Sequence, residues 1–340
     1  MAAPAFLSRS ILVGLAPFDR ARVRLLHALK PFSSRLAADR EARVAVIGVL
    51  SVLLAGLLTM LLPIWMLALG PIVLGVPHLF ADVRYGVVRS GWHRRPDIWL
   101  AVFAPLLWAS FGGGMPAGMA AVAGAFLVLD GPRWKTVVGV AGAGLIAWAA
   151  YSSPRTAGLI AMHGHNLIAI GLWLAWRERQ ERHHYWVVFT IAAVATAIAF
   201  APLPSFFGAD PGAQHLTLES HLGRMAPGFS TAVGVRIVLL FCFLQAVHYA
   251  VWLRLVREED RDRPTPRTFA ASFRALEQEF GLVPLFVTAG LAIALGVWAC
   301  VDLSRAHFGY LRFAHFHFSL ELCVGASLWL AASGAASNTK

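Results

Sequence analysis

Along the chain the apolar positions neither alternate nor recur every three to four residues. They run on for 15 to 25 positions at a stretch. Ten such runs stand out, at 44–62, 64–88, 98–112, 115–129, 136–151, 157–176, 185–201, 232–253, 282–302 and 313–331. A helix needs about 20 apolar residues to cross the hydrocarbon core of a bilayer. The pattern therefore predicts an all-α fold, a polytopic integral-membrane bundle of about ten transmembrane helices. The runs at 98–112, 115–129 and 136–151 are short, and merged or re-entrant segments there stand as an alternative. Outside the membrane domain (44–331) lie a basic segment at 1–43 and a tail at 332–340. Within it, Pro202, Pro204, Pro211 and Pro227 forbid a continuous helix in an outer loop at 202–230. An inner loop at 256–281 is charged, and positions 268–280 predict an interfacial helix, as does the Arg-rich stretch at 21–29.

Composition supports this picture. Of 340 residues, 58% are hydrophobic and 14% charged, whereas soluble domains carry about 25% charged residues. A net charge of +11 would point to nucleic acid if it were spread evenly. It is not: 24 of the 29 Lys and Arg fall in segments on one side of the ten-span path and four on the other. Cations collect on the cytoplasmic side of short loops. The asymmetry thus predicts both termini cytoplasmic, in an inner or cytoplasmic membrane, and no nucleic-acid partner. The first 43 residues lack a signal peptide's pattern, although their Arg-rich, acid-poor composition overlaps that of transit peptides. Cys242, Cys300 and Cys323 are isolated within apolar runs and predict helix contacts rather than disulfides.

Histidine carries the candidate chemistry. His78, His163, His165, His248, His315 and His317 fall within apolar runs, where ionisable groups are costly and mark function by default. A hydrogen-bonded core histidine explains one such residue; a shared metal explains six together. His78 and Asp82 lie four apart, on one helical face, so both can bind one ion or Asp82 can orient a ligating imidazole. His317 and Glu321 repeat that spacing in the last run. Asp82 and Glu321 are the candidate catalytic or ligand-orienting acids. His163 and His165, like His315 and His317, are two apart and point about 200° apart on a helix. Each pair therefore supplies one ligand unless the chain unwinds. Depth along the runs predicts an inner group (His78, Asp82, His248) and an outer group (His163, His165, His317, Glu321), unless some of these are not ligands. In the outer loop His215 and His221 bracket Glu219, and a solvated loop explains them more simply than a lid does.

Nitrogen and carboxylate ligands without thiolates suit iron (Fe2+), the economical choice for oxygen chemistry on an apolar substrate, and equally admit zinc, manganese or copper. Phosphate-loop, dinucleotide, serine-hydrolase and HExxH motifs are absent from the sequence.

The stretch Gly75-Val76-Pro77-His78-Leu79-Phe80-Ala81-Asp82 resembles the Gly-Ile-Pro-His-Gly-…-Asp segment of the bacterial Brp/Blh-type β-carotene 15,15′-dioxygenases. His78 matches that family's histidine and Asp82 its acid, over about eight residues. The family's later His-x-x-x-His pair has no counterpart, and His248 stands in the comparable region. The resemblance implies a polytopic membrane protein that holds iron through histidines on several helices and cleaves a carotenoid with dioxygen.

Three functional classes follow. The first is a membrane metal oxygenase that takes a lipophilic substrate from the bilayer lipid. In it Phe80, Tyr85, Trp173, Tyr249, Trp252, Phe316 and Phe318 are candidates to line the tunnel. The second is a transporter with a histidine and carboxylate proton relay. The third is a non-catalytic subunit that binds haem or pigment.

Overall fold

The computed structural model describes residues 2–176, 182–202, 216–261 and 265–332. The tail from 333 onward and His215 lie outside the described residues. The described chain is all-α, and its helices are α1 (Ala2–Ala28), α2 (Phe32–Ala38), α3 (Arg40–Leu61), α4 (Pro63–Val88), α5 (Pro96–Val128), α6 (Arg133–Ser152), α7 (Pro154–Ala175), α8 (His184–Phe200), α9 (Leu218–Met225), α10 (Thr231–Glu259), α11 (Phe269–Phe280), α12 (Leu282–Val301), α13 (Leu303–Phe313) and α14 (Phe316–Ala331). Six of them, α3, α4, α5, α7, α10 and α12, are long and apolar enough to cross a membrane, and α8 is a shorter apolar helix. This makes the chain an integral membrane protein.

Helix boundaries follow local chemistry. Asp39 caps α3 by accepting from Ala42 N at 3.0 Å, and Asp302 caps α13 by accepting from Arg305 N at 2.9 Å. Pro63 and Pro154 open α4 and α7, where a missing N–H costs nothing. The preceding Leu62 and Ser153 leave helical geometry, as residues before proline do. In α5 the chain turns back at Gly112 (φ 126°) and Gly114 (φ 57°), a backbone that side chains resist. The two halves then lie side by side, so that a Cβ on Gly124 would meet the carbonyl of Ala101. The break falls where the sequence separates the runs at 98–112 and 115–129, and each half is shorter than the ~20 residues of a full crossing.

α4, α7, α10 and α14 surround the functional site. α12, of which only Leu295 is buried, stays at the periphery. α1 packs against α11: Asp19 accepts from Phe269 N and Ala270 N at 2.7 and 3.1 Å, and Ser8 donates to Glu277 at 2.8 Å. The interfacial helix expected at 268–280 is thus present as a helix, and none of its residues is buried. Among its described residues the outer loop contains one short helix, α9.

Candidate metal centre

α4 and α10 each pass from α-helical into π-helical turns beside the site, at Val83–Val88 and Val251–Val256. Such turns rotate the side chains around them and are frequent at functional sites. His78 and Asp82 lie just before the first, His248 just before the second, and Trp252 within it. α14 brings His317 and Glu321. His78, His248, His317 and Glu321 each offer a ligand atom, and these atoms all lie within 4.8 Å of one another.

The depth argument from sequence placed His317 and Glu321 well outside His78 and His248, and the structure corrects it. That count took position 313 as the outer end of the last run. Instead α13 lies before it, packed on α4, and the turn at Ala314 is 2% exposed. α14 therefore starts inside the bundle, and its first turn meets the middle of α4. His165 of α7 stands beside the group, its ring centroid 5.0 Å from that of His248 and 5.4 Å from that of His317.

The hydrogen bonds orient the rings. His317 Nδ1 donates to Ala314 O at 2.6 Å and His165 Nδ1 to Met162 O at 3.0 Å. Both then present Nε2 as a lone pair. Asp82 Oδ1 stands 3.2 Å from His78 Nδ1, without hydrogen-bond alignment, and both residues are 1% exposed. His78 Nε2 lies 2.8 Å from His248 Nε2, which is 3.3 Å from Glu321 Oε1. Trp252 Nε1 donates to that same Oε1 at 2.6 Å. Glu321 Oε2, His248 Nδ1 and both Asp82 oxygens remain buried without a hydrogen bond.

A buried, unbonded carboxylate oxygen is costly, and a cation among the rings removes that cost. Three imidazoles and one carboxylate suit iron, zinc, manganese or copper. Two ligands about 2.1 Å from one ion are at most about 4.2 Å apart, so the widest pair has to close by about half an ångström. Side-chain rotation supplies that, and the residues fit a metal.

The other sequence candidates stand apart from the group. His163 Nε2 donates to Met225 O at 2.9 Å, outward toward α9, because it sits two residues from His165. His315, at the start of α14, is exposed and lines the neighbouring cavity without joining the group. Glu219 is in the first turn of α9. Sequence reasoning gave no role to His307 of α13, whose Nδ1 donates to Ala68 O at 3.3 Å. It had no helical partner in sequence to reveal it. Trp252, expected to line the tunnel, instead donates to Glu321, a contact between two helices that no spacing in the sequence announces.

The group forms the floor of a cavity of about 260 Å³, otherwise lined mainly by apolar residues such as Leu67, Met162, Phe241 and Phe318. His221 of α9 and His307 of α13 line it too. Burial pushes the His307 imidazole down to about 4. It lowers His221 as well, with the nearby Arg224 acting in the same direction. Two larger apolar grooves, of about 500 and 610 Å³, share Val83, Phe313 and Phe316. No protein-family model matches the chain, and neither a curated protein nor a solved structure does.

Proposed function

We propose that this protein is a membrane metal oxygenase in which His78, His248, His317 and Glu321 hold iron and the substrate is a lipophilic molecule, a carotenoid or another isoprenoid or acyl chain. One observation carries the reading: imidazole nitrogens and an unsatisfied carboxylate from three helices converge, deeply buried, on the floor of a largely apolar cavity. The resemblance of Gly75–Asp82 to the β-carotene dioxygenases supports the carotenoid. In the same proposal the chain crosses the inner membrane ten times, with both termini cytoplasmic.

When bound, iron with open coordination positions supplies the activation of dioxygen. The protein's own residues do the rest. Ala314 O holds His317 with its Nε2 directed inward, and Asp82, 3.2 Å from His78 Nδ1, is the acid placed to do the same for His78 after a small rotation. Trp252 pins Glu321 Oε1 beside His248 Nε2 and leaves Oε2 without a hydrogen bond. The apolar walls exclude water and admit a hydrocarbon. Purified in detergent without chelators, the protein should hold close to one equivalent of iron. Less than about a tenth of an equivalent, with none regained on reconstitution, would overturn the reading.

The 2.8 Å contact between His78 and His248, extended by Asp82 and Glu321, favours a second reading as a proton relay. Metal-free protein in liposomes would then conduct protons, which the oxygenase would not do.

A further inference from the structure

At the end of the bundle where α4 and α10 leave the site, their π-helical turns run into a cluster of arginines. Arg84 and Arg89 come from α4, Arg257 and Arg261 from α10 and the residues after it, and Arg267 from the approach to α11. Carboxylates neutralise part of this charge. Glu279 takes Arg84 at 2.7 and 3.0 Å, and Asp260 takes Arg89. Glu258 is shared by Arg43 at 3.2 Å, Arg261 at 2.9 Å and Arg254 at 3.8 Å. Among the described residues no carboxylate is bonded to Arg257 or Arg267. Arg257 bonds a hydroxyl, Ser272 Oγ, at 2.8 Å, and the Arg267 guanidinium has no bonded acceptor among the described residues. Arg261, 7% exposed, keeps Nη1 buried without a hydrogen bond. Its guanidinium is held down at about 10, by burial first and then by Arg257, Arg254 and Arg43 against the pull of Glu258. An anion would relieve all of these at once.

The five arginines, with Tyr85, Ser272 and the Arg89-paired Asp260, line a recess of about 10 Å³, room for one water-sized group. It therefore admits a single oxygen and leaves the rest of its ligand outside. Arginine is the residue suited to hold a phosphoryl oxygen in this way. Beside the recess, α1 and α11 expose Phe6, Phe18 and Phe269, apolar groups suited to a lipid surface.

We propose that this recess binds a phosphate oxyanion, the headgroup phosphate of an anionic phospholipid or free phosphate, through Arg257, Arg261 and Arg267. The site is separate from the metal centre and does not depend on its chemistry.

Full-length protein in neutral detergent, stripped of lipid and offered equal phosphatidylglycerol and phosphatidylcholine, tests this by native mass spectrometry. Wild type should retain phosphatidylglycerol preferentially. Arg257→Ala with Arg267→Ala should weaken that retention about thirtyfold, since each cation near a membrane surface contributes about a fivefold share. Arg267→Ala alone, which removes no bonded partner, serves if the double variant misfolds, and should show a several-fold loss. Lysine at both positions should restore most of it. Inorganic phosphate is titrated in parallel against thermal stability. Stabilisation by phosphate without lipid preference supports the site and assigns it to the soluble ion, whereas lipid preference displaced by phosphate assigns it to the headgroup. Retention unchanged in both alanine variants, or no response to either probe, overturns the proposal. Iron content of the variants, measured alongside, keeps this outcome distinct from that of the metal reading.

Discussion

At the scale of single residues, convergence on one point distinguishes His78, His248 and His317 from the other histidines. His78 and His248 are each 1% exposed, and an unpaired imidazole there would be costly. His93 and His184 flank the bundle's charged end. Replacing His78, His248 or His317 with Ala should abolish bound iron and turnover, whereas His93→Ala and His184→Ala should leave both intact, as metal analysis and an oxygen-consumption assay would show. Full metal and turnover in His78→Ala and His317→Ala would remove the oxygenase reading at those positions. Glu321→Gln should cost far more than Glu219→Gln, because Glu321 joins the group and Glu219 lies apart from it in the first turn of α9. Trp252→Phe keeps the ring and removes the N–H that fixes Glu321, so iron affinity should drop about 10- to 100-fold with the fold retained. The i, i+4 pairs His78–Asp82 and His317–Glu321 were legible in the sequence, because helical periodicity alone puts their members on one face, whereas the bond from Trp252 to Glu321 joins two helices and was not. Which member of His163 and His165 faces inward was not legible, since that depends on how α7 is rotated against α9 and α10.

At the scale of elements, the short helices α9 and α13 decide what sequence could not. Run lengths give spans, yet a run interrupted at Ala314 and capped by α13 gives a helix that begins at mid-depth. No count of apolar residues reveals that. α13 seats on α4 where Gly75 leaves room for Tyr310: a Cβ there would run into the tyrosine ring tip. Gly75→Ala should therefore push Tyr310 into the cavity and destabilise the protein by about 1–3 kcal/mol, the usual cost of overpacking, measurable as a lower thermal midpoint. The docking of these helices should also depend on pH. His307 is held at about 4 against an ordinary 6.5. The undocked helix therefore binds the extra proton more readily than the docked one between those values. Docking is fully present above about pH 6.5 and weakens as the pH falls toward 4, by up to ~3 kcal/mol for this one group. Hydrogen exchange across 217–226 and 303–313 should accelerate over that window, and His307→Gln should flatten the dependence.

At the scale of the whole molecule, the structure sorts the ends of the bundle chemically in the way the charge count does. Arg84, Arg89, Arg254, Arg257 and Arg261 gather where α4 and α10 end, next to α1 and α11. The opposite ends of those two helices meet α9 and α13, through Ala68 and through the loop after Met225. One end is thus rich in arginine, and at the other the buried His221 and His307 line the cavity, with Arg224 stacked on Phe308 beside them. A membrane protein inserts so that its cationic ends stay in the cytoplasm, because carrying them across is costly. The all-α bundle was legible because run length reports directly on bilayer thickness. The number of crossings was less so, because the hairpin of α5 turns back within a helical stretch of 33 residues. Topology decides which side the cavity faces. With the arginine face cytoplasmic, the lids of α9 and α13 and the approach to the metal group lie toward the outside. Reporter fusions placed after residue 332 and between residues 202 and 216 should therefore report opposite sides, the first cytoplasmic and the second external. An alkaline phosphatase and green fluorescent protein pair would read both. Reporters on the same side would mean an even number of crossings between the two points, and the last three spans of the ten-span path would have to be redrawn. Reversing the arginine bias, by replacing Arg84, Arg89, Arg257 and Arg261 with Gln, should lower the fraction of molecules in that orientation rather than change the helices themselves.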